Sequence, residues 1–170
     1  MSAPSVLLIG FGNPGCQDDG LGPAFAEAIA ALECDGVTVD ADYQLVIEDA
    51  HAMAQHDVVV FADADAIGPA PFALTAVQGK ASTSFSTHSV RPEALVWMTE
   101  QLFGRTVEAY ILSIRGRCFE QLTEGLTPEA SENLALALRF FEPVLRNRSF
   151  RVACAADRTR DYSQCSATGV

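Results

Sequence analysis

Acidic residues gather in two short stretches of this chain, and one histidine stands in a polar segment between them and a later helix. Asp18 and Asp19 lie in GFGNPGCQDDG (Gly10 to Gly20), Asp63 and Asp65 in FADADA (Phe61 to Ala66), and His88 in FSTHSV (Phe85 to Val90). Aspartates after an apolar run are costly unless solvated, paired or bound to a cation. Alternation puts Asp63 and Asp65 on one side of an extended chain, and the small alanines leave space beside them. A carboxylate from each stretch together with the His88 imidazole would make an oxygen, oxygen, nitrogen set. Such a set suits one divalent cation such as nickel, zinc, cobalt or manganese, and three ligands leave positions open for another molecule's donor atoms. The simpler roles are helix capping for one of Asp18 and Asp19, turn formation for the strand-end pair, and capping or solvation for His88. His51 and His56 belong to a polar helical region and are expected to be solvated.

The first stretch also matches a dinucleotide fingerprint, with Gly10, Gly12 and Gly15 following an apolar run. A phosphate loop works by offering backbone N–H groups and a helix N-terminus to negative charge. Here Asp18 and Asp19 stand where the pyrophosphate would sit, and Pro14 removes one donor. The carboxylates repel phosphate and fill the anion position from within the chain, so no nucleotide cofactor is expected.

The elements that must position these residues follow from periodicity. Ser5 to Gly12 is a continuous apolar run, as in a strand buried on both faces. Asp19 to Leu32 has helical spacing, a second strand starts at Val37, and Val46 to Gln55 reads as a short helix. Asp57 to Ala66 is the most β-branched run and is expected to be a central parallel strand. FALTAV (Phe72 to Val77) alternates as a short strand too close to its neighbours for a right-handed crossover, hence antiparallel. Ser89 to Leu102 reads as a helix, TVEAYILSIRG (Thr106 to Gly116) as a strand, and Thr127 caps a last helix that opens on Pro128 and runs to about Arg146. Residues 148–170 are expected to be a disordered tail. Strand and helix alternate, which predicts an α/β fold of three layers: a twisted, mainly parallel sheet with one antiparallel strand and helices on both faces. Sites in such sheets lie beyond the carboxyl ends of the strands, where both acidic stretches fall.

Composition narrows the partners. The 170 residues carry a formal net charge of −11, which disfavours nucleic acid and anionic membranes. Six of the eleven basic residues and twenty of the twenty-two acidic ones precede Val144. No apolar run approaches the roughly 20 residues of a membrane helix, and the N-terminal run is better used as a strand than as a leader; a cytoplasmic protein is expected. Cys16, Cys34, Cys118, Cys154 and Cys165 are odd in number and lack C-x-x-C spacing, so reduced thiols are expected rather than a disulfide framework or zinc knuckle.

At these residues the chain resembles the endopeptidases that mature nickel-iron hydrogenases, over roughly residues 5 to 146. The family's opening pattern stands here as Gly10-Phe11-Gly12-Asn13, four residues from Pro14 to Gln17, then Asp18-Asp19-Gly20. Its strand-end motif is Ala62-Asp63-Ala64, and its histidine is His88 after Ser86-Thr87. Asp19 stands where some members have glutamate, and Asp42-Tyr43-Gln44-Leu45 where many have Asp-Gly-Gly. Tyr43-Gln44-Leu45, Ile114-Arg115-Gly116 and Phe119-Glu120 are similar to the branch serving cytosolic, NAD-linked hydrogenases.

The resemblance implies a single α/β peptidase domain over residues 1–147. It implies that Asp19, Asp63 and His88 contact nickel, that Asp19 and Asp63 are catalytic, and that Asn13 and Asp65 bind substrate. The partner would be the hydrogenase large-subunit precursor, which presents nickel on its own cysteines, and the enzyme would act as a monomer. Oxygen and imidazole ligands bind such a cation weakly beside thiolates, so the chain would read the metal rather than remove it. Metal polarisation of the scissile carbonyl or of water, with Asp19 or Asp63 as base, is the expected chemistry. Cys16 is a poor nucleophile beside two aspartates, which disfavour its thiolate. The alternatives are a non-enzymatic nickel-binding chaperone and a nucleotide-binding α/β enzyme.

Overall fold

Five strands form one sheet in the order β2-β1-β3-β5-β4. The computed structural model describes residues 3–81, 90–120 and 122–157. In chain order the elements are β1 (Val6–Phe11), α1 (Leu21–Ala30), β2 (Val37–Asp42), α2 (Asp49–Met53), β3 (Val58–Asp65), β4 (Phe72–Val77), α3 (Pro92–Phe103), β5 (Glu108–Arg115), α4 (Pro128–Asn147) and α5 (Phe150–Asp157). A 3-10 turn, Gln17–Gly20, leads into α1. β1 pairs in parallel with β2 and β3, and β3 with β5, whereas β4 runs antiparallel to β5. The FALTAV segment is thus the antiparallel strand that its short connection required.

The continuous apolar runs become central strands because helices cover both faces. Val6 and Leu8 of β1 and Val58, Val60 and Ala62 of β3 pack under α1, α4 and α5, where Phe25, Phe141 and Phe150 fill the layer. Leu7, Ile9, Val59 and Phe61 point the other way, onto α2 and α3 through Met53, Leu95 and Met98. Burying each of these large side chains contributes about 1.5–3 kcal/mol.

Three local expectations are corrected. The second strand stops at Asp42, and the helix after it spans Asp49–Met53, shorter than Val46 to Gln55. The expected helix from Asp19 begins with the 3-10 turn and becomes α-helical at Leu21. The expected disordered tail contains α5: Phe150, Ala153, Cys154 and Asp157, spaced at i, i+3, i+4 and i+7, are all buried. Arg151 on the exposed face and Asp157, a charged residue within the stripe itself, hide this short apolar pattern. α5 covers the outer strand β4, and the Asp157 carboxylate accepts the Leu74 N–H at 2.7 Å, which closes an edge that would otherwise be open to pairing. Arg151 adds an ion pair to Glu108 of β5 at 2.6 Å. Among the described residues, no helix is long and apolar enough to cross a membrane.

Candidate functional site

The chain leaves β1 for β2 with α1 on one face and crosses from β2 to β3 with α2 on the other. The crevice between β1 and β3 is therefore where the winding direction switches, the place where open α/β sheets bind ligands. Both acidic stretches open onto it. β1 ends at Phe11 and leads through Gly12 into the turn that carries Asp18 and Asp19; β3 ends in Asp63, Ala64 and Asp65.

Asp19 is half-buried, and its Oδ2 accepts the Asn13 N–H at 2.8 Å. A backbone donor of the glycine loop is thus taken by the chain's own carboxylate. The Asn13 side chain is also engaged locally: its Oδ1 accepts the Gly15 N–H at 2.9 Å and its Nδ2 donates to Cys16 Sγ at 3.4 Å.

Asp63 continues the sheet face of Val59 and Phe61, the face covered by α2 and α3. Burial, with the negative charges of Asp19 and then Asp65, pushes its carboxyl up to about 7, against the opposing effect of the Ala64 N–H, which donates to Oδ1 at 2.8 Å. A carboxyl poised there exchanges its proton readily at neutral pH. Asp65, on the same side as alternation required, is held in a turn: its Oδ1 accepts the Ile67 N–H at 2.9 Å and the Gly68 N–H at 2.8 Å. Its turn is tied to β5 by the Gly116 N–H, which donates to the Asp65 carbonyl at 3.0 Å.

His88 lies outside the described residues. The described chain resumes at Val90, which packs against the apolar cluster beneath α2 and α3 and donates its N–H to the Leu45 carbonyl. Among the described residues, no three His, Cys, Asp or Glu side chains form a set able to hold a metal ion. His51 and His56 sit apart, bonded to Gln55 and to Thr38 and the Ala52 carbonyl.

Asp18 has a role that spacing did not reveal. It caps neither the 3-10 turn nor α1, since neither start has a side-chain cap. Its carboxylate is fully buried and accepts four hydrogen bonds, from the N–H groups of Arg117 (2.8 Å), Cys118 (3.0 Å) and Thr127 (2.8 Å) and from Thr127 Oγ1 (2.9 Å). These donors hold its carboxyl below the usual aspartate value although burial alone would raise it. The loop so held, Arg117 to Glu120, lines a cleft of about 400 Å³ together with Ala66 at the end of β3. The signal available in sequence was the doubling of the acids, since a cap needs only one.

The fold is shared with solved structures of hydrogenase-maturing peptidases. HybD, a hydrogenase maturating endopeptidase from E. coli, superposes with a TM-score of 0.65 at 20% identity, covering 85% of this chain and 93% of that one. The nickel-iron hydrogenase maturation protease HycI from Thermococcus kodakarensis gives 0.62 at 18% identity, over 89% and 94%. A hydrogenase 2 maturation peptidase from a Thaumarchaeota archaeon gives 0.59 at 18%, over 83% and 97%. The sequence matches no family model and no curated protein.

Proposed function

We propose that this chain is an endopeptidase that removes the C-terminal extension of a nickel-iron hydrogenase large-subunit precursor after nickel has been inserted. The carrying observation is the pair Asp19 and Asp63 at the switch point, close enough for one charge to raise the other's pKa, in a chain with the fold of HybD and HycI. Two half-buried carboxylates share this crevice, and among the described residues neither forms an ion pair with a basic side chain, which suits an arriving cation.

Nickel belongs to the substrate in this reading, held by the precursor's thiolates. Asp19, Asp63 and His88 add two oxygens and a nitrogen to it, which recognises the loaded precursor without competing for the metal. Asp63 ionises as the cation approaches and then serves as base. It takes a proton from the water that attacks the scissile carbonyl; the C–O bond forms, the C–N bond breaks, and the proton passes to the departing amine. The cation polarises that carbonyl or the water. Asn13 and Asp65 border the substrate path. The acidic surface favours approach of a cation-bearing partner, and the enzyme acts as a monomer in the cytoplasm.

The test is incubation of purified protein with nickel-loaded and nickel-free precursor, followed by intact mass. Mass loss confined to the loaded sample is the expected result. Binding of the loaded precursor without mass loss would instead identify a nickel chaperone.

A further inference from the structure

We propose that Asp18 is a positioning residue for this cleavage, clamping the loop after β5 and the start of α4 to the turn that carries Asp19. The proposal rests on the peptidase reading above. Asp18 and Asp19 are adjacent in one short turn yet serve opposite sides of it. Asp18 turns inward to Arg117, Cys118 and Thr127, while Asp19 meets Asn13 and influences Asp63. A displacement at one carboxylate is therefore carried across a single peptide unit to the other.

The clamp is built more heavily than a cap requires. Burying a carboxylate costs several kcal/mol unless it is fully hydrogen-bonded, and here four donors converge on it. Backbone bonds run alongside: Asp18 N–H to the Cys118 carbonyl at 3.0 Å and Gln17 N–H to the Thr123 carbonyl at 2.9 Å. Gly116 lets the loop close over the side chain, since a Cβ there would come within 2.8 Å of Asp18 Cβ. The loop held in this way forms one wall of the cleft whose other side is Ala66, directly after Asp65. Asp18 thus sets the separation between that wall and the acid-bearing turn, the kind of support that keeps a reacting group in register.

The experiment compares the full chain with Asp18→Asn, Thr127→Val and Thr127→Ser, reading cleavage kinetics on nickel-loaded precursor and amide hydrogen exchange. Asn presents an NH2 group to converging N–H donors, so exchange at Arg117, Cys118 and Thr127 accelerates while β1 and β3 amides stay protected. Cleavage kcat falls about 100-fold, as for an ångström-scale misplacement, with KM within about twofold. Thr127→Val, which removes the hydroxyl that both donates to Asp18 and accepts the Ala130 N–H as the cap of α4, moves both readouts the same way by less, and Thr127→Ser restores both bonds and wild-type values. If Asp18→Asn does not fold, the Thr127 pair decides. Accelerated exchange with wild-type kcat, or unchanged exchange, overturns the positioning role while wild-type cleavage stands. Wild-type protein that leaves loaded precursor intact overturns the peptidase reading and this role with it.

Discussion

Asp19 stands close enough to Asp63, across the carboxyl ends of β1 and β3, for its charge to help hold the Asp63 carboxyl at about 7. Burial is the larger cause. The site is thus built with a conflict: folding places acids together where, among the described residues, neither forms an ion pair with a basic side chain. Sites that bind charge are commonly the places where a fold gives up stability.

That conflict predicts a stability change of defined sign. The folded-state pKa of Asp63, about 7, lies above its ordinary 3.8, so the folded chain keeps a proton that the unfolded chain has lost. Stability from this group is full below the lower value and is lost as pH rises through the upper one. Asp63→Asn mimics the protonated form and can still accept the Ala64 N–H. It should stabilise the protein by about 1–2 kcal/mol near pH 8, less than the whole shift because the site is partly open to water. Near the ordinary aspartate pKa the gain vanishes. Denaturant unfolding at the two pH values measures it, and cleavage by the same variant should fall about 10²–10⁴-fold.

A mainly parallel sheet with one antiparallel strand and helices on both faces was legible because β1 and β3 are apolar without interruption and FALTAV is too near its neighbours to cross over. The placement of both acidic stretches at strand ends followed from the same rule. Asp18 was misread because its partners, Arg117, Cys118 and Thr127, lie about a hundred residues away and donate mainly through backbone groups that carry no residue-type signal. α5 was missed because two turns of helix gain little from propensity; its stability comes from Phe150 stacking on Tyr110, with ring centroids 5.8 Å apart, and meeting Phe141 at 6.1 Å.

Loss of the His88 imidazole should separate function from folding. The described chain resumes after this segment at Val90, in the apolar cluster on the sheet face that Asp63 continues, and the prediction rests on the ligand role proposed for His88. His88→Ala is expected to lower cleavage of loaded precursor about 100-fold or more, since even residues that only orient metal ligands cost 10–100-fold. Melting temperature should stay within about 2 °C. Unimpaired cleavage by this variant would remove His88 from the ligand set.

Truncation after Arg148 should be severe. Phe150 is 1% exposed, and Ala153, Cys154 and Asp157 are buried behind it. Phe150→Ala alone should cost about 3–5 kcal/mol by the cavity it leaves. Removing all of α5 also frees the Leu74 N–H and exposes the β4 edge, so the truncated chain should aggregate as well as unfold at lower denaturant. Urea unfolding of the point variant and light scattering of the truncated one check the two effects.

Gly10 and Gly12 of the fingerprint, with Gly22 of α1, should prove to be packing devices with no phosphate to hold. A Cβ on Gly10 would lie 2.3 Å from the Gly22 carbonyl oxygen, and one on Gly22 would lie 2.3 Å from that of Phe11 and 2.5 Å from that of Ala62. The three backbones of β1, α1 and β3 meet there, and no rotamer change relieves contacts with carbonyl oxygens. Gly12 has φ +139 and would bring a Cβ within 2.0 Å of the Asp19 carbonyl, so both conformation and space reject a side chain. Gly22→Ala should separate α1 from the sheet and destabilise by about 3 kcal/mol, the upper range for overpacking. Gly12→Ala should do this and also displace Asp19, so cleavage falls further than stability alone explains. Because Asp19 occupies the Asn13 N–H, calorimetric titration of the wild-type chain with NAD should give no heat of binding. A saturable signal would mean that the loop opens to phosphate after all.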